Sequence, residues 1–98
     1  MNIIKNRDND KLEIIIEGSL DTITAPEAEE QVKSSLDGVK ELIFDFVKLD
    51  YISSSGLRVL LLAQKIMKNQ GSMIIKNANE MVMEVFEVTG FIDILNIE

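Results

Sequence analysis

Three consecutive hydroxyls, Ser53-Ser54-Ser55, stand between Asp50-Tyr51-Ile52 and Gly56-Leu57, where an apolar strand gives way to a leucine-rich helix. The run Leu57-Arg58-Val59-Leu60-Leu61-Leu62-Ala63 is strongly helix-forming, so at least one serine is expected at the N-cap or in the first turn. Amides there lack carbonyl partners and the helix dipole favours an anion, so a phosphate ester on one of these hydroxyls would be stabilised. The junction is therefore the expected seat of regulation, although plain capping also accounts for serines in this place. At about 100° per residue, Ser54 shares a stripe with Arg58, Leu61 and Lys65. Phosphorylation adds about −1.5 to −2 charges, so a phosphate on Ser54 would change that stripe by charge and bulk without refolding the domain. Val59, Leu60, Ala63, Ile66 and Met67 make the core-facing group. Leu61 and Leu62 fall outside it, either as part of a partner-binding face or because the helix is sunk deeper than this division implies.

Catalysis has little to work with. The chain contains no Cys and no His, which removes disulfides, thiol nucleophiles, Ser-His pairs and the usual zinc ligands. Asp21, Asp45 and Asp50 are the candidate acid/base or magnesium-binding groups. No glycine-rich phosphate cradle and no Gly-x-Ser-x-Gly elbow accompanies them, and Asp45 reads more simply as the end of a strand. No enzyme, cofactor or metal site is expected. Ten Lys+Arg against seventeen Asp+Glu leave a net charge of −7, which disfavours nucleic acid and anionic membrane as partners. A protein with a basic patch fits better, and the same balance also serves solubility. No apolar run approaches the roughly 18 residues of a membrane span, and Met1-Asn2-Ile3-Ile4-Lys5 opens a charged segment rather than a signal peptide, so the expected location is cytoplasmic.

The elements that would position the serines follow from periodicity and punctuation. Ile3-Ile4 and Leu12–Glu17 read as a hairpin across the polar run Asn6–Asp10. Thr24-Ala25-Pro26-Glu27 matches a capping box with proline in the first turn, followed by Ala28, Val32 and Leu36 at helical spacing. Leu42–Phe46 reads as a central strand buried on both faces. The helix after the serines is expected to run to about Gln70, Met73–Ile75 as a strand, Asn77–Glu80 as the start of a third helix ending near Gly90, and Phe91–Leu95 as a last strand. Gly18, Gly38, Gly71 and Gly90 fall at element ends, where positive φ is tolerated. With 98 residues, one domain over 1–98 is expected, its strand–helix alternation demanding mostly parallel pairing.

Gly18-Ser19-Leu20-Asp21, the strand Leu42–Phe46, the serine junction through Leu57 and Thr89-Gly90-Phe91 occur in an order and spacing that resembles, nearly end to end, the STAS domain of bacterial anti-sigma-factor antagonists. The resemblance implies a single α/β domain with a mixed, mostly parallel sheet of four to five strands and crossover helices packed against it. It implies a protein that binds a serine-kinase anti-sigma factor, releases the sigma factor and is switched off by phosphorylation. That kinase and a phosphoserine phosphatase are the implied partners. The family's acceptor serine falls on Ser54. Ser53 replaces the aspartate that precedes it, and Arg58 replaces a glycine of the family. Asp21 falls on an aspartate that lies beside the acceptor in the family, and also suits a polar turn. With Ser53, Ser55, Gly56, Arg58, Leu61, Leu62 and Lys65 it makes the expected partner surface. The alternative is a STAS subunit of a signalling scaffold or lipid-transport complex, with Ser54 only a cap. Family members carry one more helix after the last strand, so part of the sheet is expected to be less covered here.

Overall fold

Alternation in Leu12-Glu13-Ile14-Ile15-Ile16 builds the longest strand, and the rest of the sheet is laid on it. The computed structural model describes residues 1–98. In chain order the elements are β1 (Asn2–Asp8), β2 (Lys11–Leu20), α1 (Ala25–Ser35), β3 (Glu41–Asp45), β4 (Leu49–Ile52), α2 (Ser54–Lys68), β5 (Ser72–Lys76), α3 (Glu80–Thr89) and a 3-10 turn at Phe91–Asp93. β1 pairs antiparallel with β2 through a turn in which Asn9 takes φ 56°, a value asparagine tolerates better than most residues. β3 lies parallel beside the first half of β2 and carries β5 on its far side, in the order β1-β2-β3-β5. The central position expected for β3 is the one it occupies.

The crossovers from β2 to β3 and from β4 to β5 step in the same direction across the sheet. A constant right-handed path therefore puts α1 and α2 on one face. Buried residues of all three helices accordingly join one cluster with alternate strand residues: Leu12, Leu42 and Met73 make one row, Ile14, Phe44 and Ile75 the next. The opposite face, with the row Glu13, Ile43 and Ile74, belongs to no helix. Ile43 is still only 5% exposed, so β3 is buried on both faces, but by helices on one side and by the side chains of its own sheet on the other.

Three expectations need correction. First, Leu49–Ile52 forms β4, a strand that periodicity does not announce: four residues with Asp50 and Tyr51 exposed show too little pattern. What creates it is the spare length of β2, whose Gly18–Leu20 segment outruns β3 and pairs parallel with β4 past a register shift at Gly18/Ser19. Second, Phe91–Leu95 is not a strand. Gly90 caps α3 in the left-handed region at φ 81°, and the amides of Ile94 and Leu95 turn back to the Phe91 carbonyl. Strand pairing is confined to a single parallel bridge between Ile97 and Ile75. Third, Gly71 is demanded by space and not by φ, because a Cβ there would collide with the Lys40 carbonyl.

α3 closes the free edge of β4. Asn79 is its N-cap, accepting from the Val82 amide at 2.8 Å, while its amide group donates to the Leu49 and Asp50 carbonyls at 3.0 and 3.4 Å. At the other end of the domain, the Gln70 side chain donates to the carbonyls of Leu36 and Val39, fastening the end of α2 to the loop after α1.

Candidate functional site

The carboxyl ends of parallel strands are where an α/β sheet presents its loops, and here β2 and β4 end side by side. The Ser53 amide donates to the Leu20 carbonyl at 2.9 Å, so the last bond between the two strands lies directly under the serines. Ser53 is extended, at φ −103° and ψ 179°, and serves as N-cap of α2. Its hydroxyl accepts from the Gly56 amide at 3.5 Å, the long limit of a hydrogen bond. Ser54 is the first residue of α2 and is exposed, with no hydrogen-bond partner. Ser55 is half-buried, its Oγ 3.3 Å from Oγ1 of Thr22. Gly56 explains the division of labour. A Cβ at this position would lie 2.5 Å from the Leu20 carbonyl oxygen and 2.7 Å from Cγ1 of Ile52, so the first turn sits hard on the two strand ends and only Ser54 faces out.

Asp21 opens the loop between β2 and α1. Its Oδ1 accepts from the amides of Ile23 and Thr24 at 3.0 and 3.1 Å, and these bonds, the one from Thr24 foremost, hold its carboxyl below the usual aspartate value despite some desolvation. The capping box expected at Thr24 does not form. The Thr24 hydroxyl accepts from the Asp21 amide at 2.9 Å and donates to the Ser19 carbonyl at 2.8 Å, leaving the Glu27 amide without its oxygen. The short loop bends back on β2, and Asp and Thr side chains satisfy it locally. The link from this loop to the serines is consequently made by Thr22 and not by Asp21.

Beside that link lies a groove of about 240 Å³, with Thr22, Pro26 and Glu29 on one wall and Ser55 and Arg58 on the other. Ile23, at the outer tip of the loop, is 88% exposed. Thr22, Ile23 and Glu29 were not singled out from sequence. An isolated isoleucine in a polar turn gives a weak signal that only its exposure makes meaningful. Along α2 the exposed stripe is Ser54, Arg58, Lys65 and Lys68. None of these cations is paired, since the domain's ion pair is Lys48–Glu17, and α2 contains no carboxylate. Leu61 and Leu62 are both half-buried, Leu61 within the stripe and Leu62 on its flank. Leu61 borders a second groove, of about 590 Å³, with Met73, Ile94 and Lys65, whereas Leu62 shares the helical phase of Ser55 and Ile66 on the α1 side. The structure thus brings Ser53, Ser54, Ser55, Gly56 and Arg58 together near the Asp21 loop, and sets Leu61 and Lys65 about two and three turns beyond Ser54.

Asp45, a candidate acid, ends β3 and is used structurally, its Oδ1 accepting from the Val47 amide and from Nδ2 of Asn77, both at 3.0 Å.

The family model of the STAS domain matches residues 2–98. An anti-sigma-B factor antagonist from Listeria monocytogenes is 33% identical over 97% of this chain and 85% of its own length. That of Bacillus subtilis is 31% identical over 96% and 86%. Among solved structures, an anti-sigma factor antagonist from Mycobacterium paratuberculosis superposes with a TM-score of 0.88 at 15% identity, covering 98% of this chain and 83% of that one. The Bacillus cell fate determinant SpoIIAA in its phosphorylated form gives 0.76 at 18%, covering 99% and 91%. At those identities the likeness is one of fold.

Proposed function

The chain belongs to the STAS domain family, and on that footing we propose that it is an anti-sigma-factor antagonist, binding a serine-kinase anti-sigma factor until phosphorylation of Ser54 ends the contact. The observation that carries this reading is the exposed, unpartnered hydroxyl of Ser54 at the amino end of a helix whose charged residues are all cations. On a chain of net charge −7, the stripe of Arg58, Lys65 and Lys68 is a local reversal of sign suited to an acidic partner surface. A phosphoserine beneath it would be received by the first-turn amides and by Arg58 one turn on, and its charge would offset much of the stripe's. Binding is lost through that loss of positive charge and through bulk, with no change of fold. Ser53, Ser55, Gly56 and the Asp21 loop shape the approach, Ile23 supplies an apolar contact at its rim, and Leu61 within the stripe and Leu62 beside it add apolar surface. The chain transfers no group itself. It is the substrate of the kinase, and a phosphoserine phosphatase resets it. No helix is long and apolar enough to cross a membrane, and a cytoplasmic site of action accords with such partners.

Isolation of the chain with its bound proteins from the native cell, followed by intact-mass measurement, tests this. The expected result is a kinase companion and one phosphate, absent from Ser54→Ala. Ser54→Asp is expected to weaken binding about tenfold or more, the worth of one lost charge contact, with the far-UV spectrum unchanged. Equal affinity would overturn the switch. Because Ser53 takes the place of the family's aspartate and is used as a cap, a second reading is a binding subunit that is never modified; a scaffold or transporter companion and no phosphate would establish it.

A further inference from the structure

α3 presents a second face that neither the core nor the serine site uses. Val82 and Phe86 are buried, so the opposite side of the helix looks outward. That side carries Met81, 54% exposed, and Val88, 80% exposed, with half-buried Val85 between them. These three line a shallow concavity of about 250 Å³ with Glu84 and Thr89. Beside the apolar stripe runs a ridge of Glu80, Glu84 and Glu87, all exposed and none in an ion pair, and α3 has no basic residue. Spaced at i, i+4 and i+7, these carboxylates repel one another and cost the helix roughly 0.2–0.5 kcal/mol per adjacent pair; the helix N-terminus favours Glu80, but no cation of the molecule pairs with any of the three. α1 offers a contrast: it is also acidic on its outside, but exposes no large aliphatic side chain.

We propose that the outer face of α3 is a docking surface for a basic amphipathic segment of a protein partner, aliphatic residues seated on Met81, Val85 and Val88 and Lys or Arg placed against Glu80, Glu84 and Glu87. Charge complementarity selects this occupant. A symmetric pairing of two α3 faces would set the acidic ridges against each other, and an anionic lipid surface would be repelled. The surface is independent of the serine junction, so the domain holds two faces of opposite sign, cationic on α2 and anionic on α3.

The probe is a designed helical peptide of about five turns with leucine on one face and lysine on the other, its binding to the full chain followed by fluorescence anisotropy. Glu84→Gln/Glu87→Gln is expected to weaken binding about tenfold, and Met81→Ser/Val88→Ser by a similar factor, as loss of one or two interface anchors does. Glu27→Gln/Glu30→Gln, which removes the same charge from α1 outside the serine groove, is expected to stay within about twofold. Equal loss in the α1 control would reduce the effect to net charge and overturn the proposal. So would full affinity in Met81→Ser/Val88→Ser, or self-association of the chain that the α3 variants abolish, which would make the occupant a second copy. All the substituted residues are exposed and half-buried Val85 is left intact, so the variants test the surface and not the fold.

Discussion

The carboxylate of Asp21 closes a turn in its own loop and leaves the contact with the serines to Thr22. Because two amides favour its charged form, its folded value lies below the ordinary 3.8. The sign follows: the stability it contributes is fully present above the unfolded value and is lost as pH falls through the lowered folded one. Asp21→Asn keeps the accepting oxygen and removes the titration. Its unfolding midpoint is expected to lie slightly below that of the parent at neutral pH and to converge with it below about pH 4, its acid limb being the shallower. A parallel acid limb in chemical denaturation would show that Asp21 does not contribute in this way. The serines illustrate how far residue type alone reaches. Their place at a helix start was legible from the capping preferences of serine, and the helical period already set Ser54 on the stripe of Arg58 and Lys65, but how closely the turn beneath is seated was not. Gly56 decides that by pressing the first turn onto Leu20 and Ile52.

Helix α2 was readable in extent and in its core side, since Val59, Leu60, Ala63 and Met67 are buried as the 3.6 period requires. Its flanks were not readable, because Leu61 and Leu62 owe their half-burial to neighbours that the helix itself does not specify. Leu60→Ala is expected to cost about 2–5 kcal/mol, the usual result of emptying a filled core position. Leu61→Lys is expected to cost about 1 kcal/mol, since a lysine stem covers the groove edge while its ammonium reaches water. Urea denaturation of the two variants checks the order, and a larger loss for Leu61→Lys would make Leu61 a core residue. β4 and the stretch after Gly90 mark the opposite limit. The first is a strand because β2 has an edge to spare, and the second is not one because Gly90 redirects the chain and Leu95 is drawn into the core.

One apolar cluster on one face of the sheet organises the whole domain, and the ionisable groups are left outside it. With −7 charges on a body 33 × 26 × 20 Å in extent, and one ion pair to set against them, self-repulsion outweighs attraction. Raising the salt from about 0.01 M to 0.15 M shortens the screening length from about 30 Å to about 8 Å. The thermal midpoint is expected to rise by a few degrees, about 1 kcal/mol at this size. A fall would show that local pairs outweigh the net charge. The amino-acid order alone determined the fold class, the central strand, the three helices and the serine junction, because each rests on periodicity and capping within one segment. Only the folded chain decided how Gly56 seats the first turn of α2, that Thr22 and Ile23 border Ser54, that β4 exists and that the charged faces of α2 and α3 are left uncovered. Those features arise where segments distant in sequence compete for the same space, and no local pattern records the outcome.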